Sequence, residues 1–135
     1  MSPSQKLLIE VPIDLRWRDL DALNHVNNSS FLTFFEEARL RWFGTLQDSW
    51  INERHSPVLA AVQINYRRQL GWPANVVATL HVERVGRTSL TIAHRLVAAA
   101  DHEVIYADGN SVVVWIDPAS GKPVPLPDAV LRACQ

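Results

Sequence analysis

The hydrophobic and polar positions of this chain change their period twice. Leu7–Trp17 alternates as a strand does, but Pro12 interrupts it, which suits an edge or bulged strand. Asp19 to Asn28 is polar turn chemistry. From Ser29 onward Phe31, Phe34, Phe35, Ala38 and Trp42 recur at helical spacing, with Glu36, Glu37, Arg39 and Arg41 between them. Gly44 is a natural stop. The spacing predicts a helix of about 15 residues, roughly 22 Å long. A weaker helical pattern covers Leu46–Glu53 and is broken at His55-Ser56-Pro57. After Pro57 the pattern predicts four strands, over 58–70, 75–85, 88–100 and 103–117. The third alternates cleanly, with Leu90, Ile92, His94 and Leu96 on one face and Ser89, Thr91, Ala93 and Arg95 on the other. Gly86-Arg87 and Ala100-Asp101-His102 are short enough for hairpin turns. Gly109 suggests a bulge or a bend. The Pro/Gly-rich tail predicts a turn, then one helical turn from Pro127.

A strand, one long helix and four antiparallel strands make an α+β domain. Such a sheet buries the helix by curling around it, with Phe and Trp filling the concave face. The other face then needs cover or solvation. Trp72, Trp115 and Val112–Val114 are more apolar than a solvated face wants, which predicts dimerisation.

Composition narrows the function. The 135 residues fit a single domain, 1–135, and 47% hydrophobic content is enough for a core. A net charge of −1 gives no basic excess for nucleic acid. Cys134 is the sole cysteine, and no Cys/His set has metal-ligand spacing. No apolar run is long enough for a signal peptide or a membrane span, so a soluble cytoplasmic protein is expected.

The polar stretch RDLDALNHVNNSSFLTFFEEAR (18–39) carries the candidate chemistry. The first turn of a helix leaves backbone N–H groups without intrahelical partners. Asn27, Asn28 or Ser29 can cap one of them. The rest form an electropositive spot that can polarise a carbonyl or hold an oxyanion. Asp21 lies seven residues before Asn28, on the loop feeding the helix. A carboxylate beside an oxyanion site suits hydrolytic acyl transfer, as base on a water or as nucleophile. Asp and Asn ahead of a helix are also ordinary caps.

The Asp-Leu-Asp-Ala-Leu-Asn-His-Val-Asn-Asn element, followed by Phe31 and Glu36-Glu37-Ala38-Arg39, closely resembles the motif of hotdog-fold acyl-CoA thioesterases of the 4-hydroxybenzoyl-CoA thioesterase type. INYRRQLGWPANV, VERVGRTSLTI and VVVWIDPASGKPVPLP resemble later segments of that family, so the likeness covers most of the chain. It implies an antiparallel curved sheet of about five strands wrapped around one long central helix. It implies hydrolysis of an acyl- or aroyl-CoA to free acid and CoA, with no metal and no cofactor beyond the CoA of the substrate. The catalytic carboxylate would be Asp21, and the N–H polarising the thioester carbonyl would be that of Asn28. Sites would lie at a homodimer interface, and dimers of this family commonly pair into tetramers. Two positions depart from the pattern. Asn24 stands where the family usually has Gly, and Asn tolerates the left-handed conformation. Related plant acyl-carrier-protein thioesterases also carry a polar residue there, so that substrate stays open. Phe31 stands where Tyr is frequent and lacks its hydroxyl.

Around that centre, Asp19 reads as a loop brace. His25 can orient Asp21 or the acyl chain, or simply bond the loop. The resemblance lets Glu36 face the partner's cleft and orient a water; otherwise it pairs with Arg39 or lies on a polar face. Asn27 is a cap and brace at the substrate's edge. Phe31 and Phe35 are core residues that can also line an acyl tunnel. Arg67, Arg68 and Arg87 are candidates for the CoA phosphates. His94, in mid-strand on an apolar face, reads as a satisfied core histidine. No Gly-x-Ser-x-Gly element exists, which disfavours a serine hydrolase. The competing reading is a non-catalytic acyl-CoA or acyl-chain binder on the same fold.

Overall fold

The computed structural model describes residues 5–46 and 50–135. Strand β1 is Leu7–Ile13, helix α1 Asn28–Phe43, and strands β2 to β5 are Ser56–Tyr66, Val76–Val85, Ser89–Ala98 and Asp101–Ile116. A short helix α2, Asp128–Ala133, starts after Pro127 as the tail composition predicts. Of the weaker helical pattern over 46–53, residues 50–53 are bends and loop, and residues 47–49 lie outside the described residues.

The strands form one antiparallel sheet in the order β1-β3-β4-β5-β2. Both hairpins form as expected. Pro12 is accommodated because β1 is an edge strand, irregular between Leu7 and Ile9. Strand β2 does not neighbour β3. It pairs with β5 at the opposite edge, Tyr66 against Ala107 and Ser56 against Ile116. The chain after Tyr66 must therefore cross the end of the sheet to start β3.

Helix α1 buries Phe31, Phe34, Phe35, Ala38, Trp42 and Phe43 at 4% exposure or less. Each large apolar side chain so buried contributes about 1.5–3 kcal/mol relative to exposure. Asn27 caps the first turn, its Oδ1 accepting from the Ser29 N–H at 3.0 Å. Gly44 ends the helix, its N–H donating to Leu40 O at 3.0 Å. The predicted face of β4 is the core face: Leu90, Ile92, His94 and Leu96 are all at 1% exposure or less. This five-stranded antiparallel sheet with a helix packed on it fits a hotdog fold.

Two expectations need correction. Trp115 is no surface residue. It is fully buried against Phe43 and donates its indole N–H to Trp50 O at 2.8 Å. Trp72 is exposed as expected, and β2 adds exposed apolar surface at Val58, Leu59 and Val62. Gly109 is not a bulge either, because the pairing runs unbroken through it on both sides. It has φ +146°, and a Cβ there would collide with the Gln63 carbonyl and lie 3.1 Å from His94 Nε2. Glycine is needed because that carbonyl turns inward to accept from His94 Nε2 at 3.0 Å. Among the described residues, no helix is long and apolar enough to cross a membrane.

Candidate active site

The loop between β1 and α1 is built from its own polar side chains. Asp19 is buried and accepts from the Arg16 N–H at 2.8 Å and from the Arg16 guanidinium at 2.9 Å. Burial pushes the Asp19 carboxyl up, but the hydrogen bonds and charge from Arg16 outweigh it, so its pKa lies below the usual carboxylate range. Asp19 is thus the brace its position suggests. Beyond it the chain folds into a small hairpin. The Asp21 N–H donates to His25 O at 2.8 Å, and Leu20 bridges Val26. Asn24 sits at the turn with φ +61°, the left-handed conformation expected there. Asp21 Oδ1 accepts from the Leu23 and His25 N–H groups at 2.8 and 3.2 Å. Its Oδ2 has no partner among the described residues, and the side chain is exposed.

The start of α1 can be accounted for donor by donor. The Asn27 N–H donates to Asp19 O at 2.8 Å, and the Ser30 N–H to Asn27 O at 2.9 Å. The Ser29 N–H is taken by the cap. Among the described residues the Asn28 N–H has no acceptor. It is therefore available to a substrate oxygen, at the positive end of the helix dipole.

Asp21 and Asn28 line one cleft of about 420 Å³. Its other walls are His25, Val26 and Phe31 on one side and Tyr66 to Leu70 on the other. The crossover after β2 supplies that second wall, and it is pinned by the Val26 N–H donating to Leu70 O at 2.6 Å. The Tyr66 hydroxyl donates to Asn28 O at 3.1 Å, and its ring packs edge-on against Phe31 at 5.3 Å. Tyr66 thus brings a hydroxyl to the neighbourhood where Phe31 lacks one. Sequence reasoning passed over Tyr66, Gln69 and Leu70. The one local cue was a tyrosine directly ahead of the Arg67-Arg68 pair.

Of the expected residues, Asp21, His25, Asn28, Phe31, Arg67 and Arg68 meet in this cleft. Arg67 is held by Asp108, its Nε 3.2 Å from each carboxylate oxygen. Arg68 has no ion-pair partner among the described residues. Four others fall elsewhere. Asn27 spends its side chain on the cap. Phe35 is fully buried and stacks on His94 at 3.9 Å, so it is core and not cleft wall. Arg87 is exposed at the β3–β4 turn, at the far end of the sheet from the cleft. Glu36 lines a different groove, with Arg39, Leu40 and Phe43.

The chain belongs to the thioesterase-like superfamily, whose family model matches residues 15–134. Among solved structures it is 47% identical to a proposed acyl-CoA thioesterase from Xanthomonas campestris, with a TM-score of 0.77 over 84% of this chain and 96% of that one. It is 34% identical to PA2801, a proposed thioesterase from Pseudomonas aeruginosa, with a TM-score of 0.89 over 96% of this chain and all of that one. It is 33% identical to a Thermus thermophilus thioesterase solved with coenzyme A and zinc, with a TM-score of 0.80 over 96% of this chain and 98% of that one. Family and neighbours together support thioester hydrolysis as the general chemistry.

Proposed function

We propose that this protein hydrolyses an acyl-CoA or aroyl-CoA thioester in the Asp21–Asn28 cleft. The observation that carries this reading is the unclaimed Asn28 N–H of the first helical turn, in the same cleft as an open carboxylate oxygen. In this mechanism the Asn28 N–H receives the thioester carbonyl oxygen and stabilises the tetrahedral oxyanion. Asp21 Oδ2 takes a proton from an attacking water, or itself attacks the carbonyl carbon to form a mixed anhydride that water then cleaves. The C–S bond breaks and CoA leaves as the thiol. His25 holds Asp21 through its main chain. Arg68 serves the CoA phosphates. The chemistry asks for no metal and no redox cofactor.

A homodimer is part of the proposal, and a pair of dimers is its possible extension. Strand β2 is an edge strand, with Val58, Leu59 and Val62 39–45% exposed and Leu40 of α1 56% exposed beside it. An uncovered apolar edge invites pairing with a second strand. Two β2 edges paired antiparallel about a twofold axis set Pro57–Leu59 of one copy beside Tyr66 of the other. The groove holding Glu36 then adjoins the partner's Asp21 cleft, where Glu36 can orient the water.

Thiol release from a panel of aliphatic and aromatic acyl-CoAs tests the reading. Asp21→Asn keeps an Oδ1 to accept from Leu23 and His25, so the loop stays braced. It is expected to lose about 100-fold or more in kcat, the scale for a positioned acid–base group. An Asp21→Asn protein within threefold of wild type, or a wild type inert on every thioester, would defeat it.

A further inference from the structure

The groove between α1 and β2 encloses about 420 Å³ and is walled by Leu40, Phe43, Trp50, Val58 and Leu59. Two charged residues of α1 also line it. Glu36 is exposed at its mouth, whereas Arg39 is only 7% exposed. A guanidinium has five N–H donors. Arg39 uses one, from Nη1 to Ser111 Oγ at 3.3 Å, and makes no ion pair among the described residues.

That one bond is directional. Gln63 O can only accept, so His94 Nε2 carries the proton. His94 Nδ1 must then accept, and Ser111 Oγ, 3.2 Å away, donates to it. The Ser111 lone pairs are left for Arg39. His94 and Ser111 are at 1% exposure or less, and Phe35 clamps the imidazole from the other side. Nη1 is thereby anchored, and the rigid fork leaves the other donors to the groove. Glu36 attracts this cation but makes no ion pair with it, so burial still lowers the Arg39 pKa, and a bound carboxylate would relieve the remaining cost of its desolvation.

We propose that this groove takes the acyl group of the substrate and that Arg39 receives a carboxylate at its far end. The preferred substrates would then be ω-carboxyacyl thioesters. This rests on the thioesterase reading and on the β2–β2 pairing, which sets the groove beside a partner's cleft. The straight acyl chain lies against Leu40, Phe43 and Leu59. Arg39 is a specificity residue here and takes no part in bond breaking.

The test compares two thioesters of equal chain length, adipyl-CoA and hexanoyl-CoA. Affinities are measured by calorimetry in the full-length Asp21→Asn protein, which separates binding from turnover. Adipyl-CoA is expected to bind about tenfold to a hundredfold tighter, the range of one or two charge-assisted hydrogen bonds. Adding Arg39→Met should bring the ratio to about one, with hexanoyl-CoA affinity within threefold. Equal affinities, a tighter hexanoyl-CoA, or no binding of either would overturn the proposal. So would an Arg39→Met protein that keeps the ratio, or one that turns monomeric by sedimentation while the ratio stands, since Arg39 would then belong to the subunit contact. If Arg39→Met does not fold, the ratio in the Asp21→Asn protein and in Arg39→Lys decides, and Arg39→Lys should lower it. A wild type inert toward every thioester of the panel would sink the hydrolase reading alone, because the binding ratio is read independently.

Discussion

Replacing Gly109 with alanine adds one methyl group where it would meet the backbone of Gln63 in the neighbouring strand. Its φ of +146° is essentially reserved for glycine, and holding an L-residue there costs about 1–3 kcal/mol. The new Cβ would also strike the Gln63 carbonyl, so β2 must move away from β5 at the Ile64–Gly109 pair. That movement takes the acceptor from His94 Nε2 inside the core, and an unsatisfied buried donor costs about 1–3 kcal/mol more. The total is about 2–6 kcal/mol, a large share of a typical 5–15 kcal/mol stability. Gly121 is the internal control. Its φ is +74°, yet nothing lies within 4 Å of a Cβ built on it. Gly121→Ala should therefore show backbone strain alone, about 1–2 kcal/mol. Urea unfolding followed by tryptophan fluorescence, at one protein concentration, measures both. If Gly109→Ala costs no more than Gly121→Ala, the close approach of Gln63 to His94 does not hold the β2 edge.

Three further outcomes are expected. Burial holds the His94 pKa down to about 4, against 6.5 when unfolded, so the unfolded chain binds the extra proton between those values. Stability should fall as pH drops from about 6.5 to 4, by about 3 kcal/mol from this group, and His94→Gln should flatten that part of the pH profile of chemical denaturation. Asp19 has a lowered folded pKa, so its contribution is present above the unfolded carboxyl pKa and is lost as pH falls through the folded one. Asp19→Asn should cost stability at pH 7 and converge on wild type in acid; an equal cost at both would show that charge is not involved. Asn27→Ala removes the α1 cap and should cost about 1 kcal/mol. Its thermal melt should move down by a few degrees, and an unchanged melt would mean the Ser29 N–H finds another acceptor.

The features legible in residue spacing are local. The helical spacing from Phe31 to Trp42, the alternation along β4, the hairpin turns and the polar loop ahead of α1 all depend on neighbours within a turn or a hairpin. Asn24 could be read as left-handed, and Asp19 as a brace, because each acts on backbone a few residues away. The Asp21–Asn28 pairing was legible for the same reason, since one short loop joins them. Which distant segments complete the cleft depends on the strand order. Placing β2 beside β5 sends residues 67–75 back across the sheet, and this lays Tyr66, Arg68 and Leu70 against the Asp21 loop while leaving Arg87 at the other end. The fold also separated Phe31 from Phe35, four residues apart on one helix, into cleft wall and core. Likewise it buried Arg39 next to a serine of β5, whereas its spacing from Glu36 suggested a surface pair. Strand order is a competition among all the edges of the sheet for hydrogen bonds and apolar cover, and no local spacing records its result.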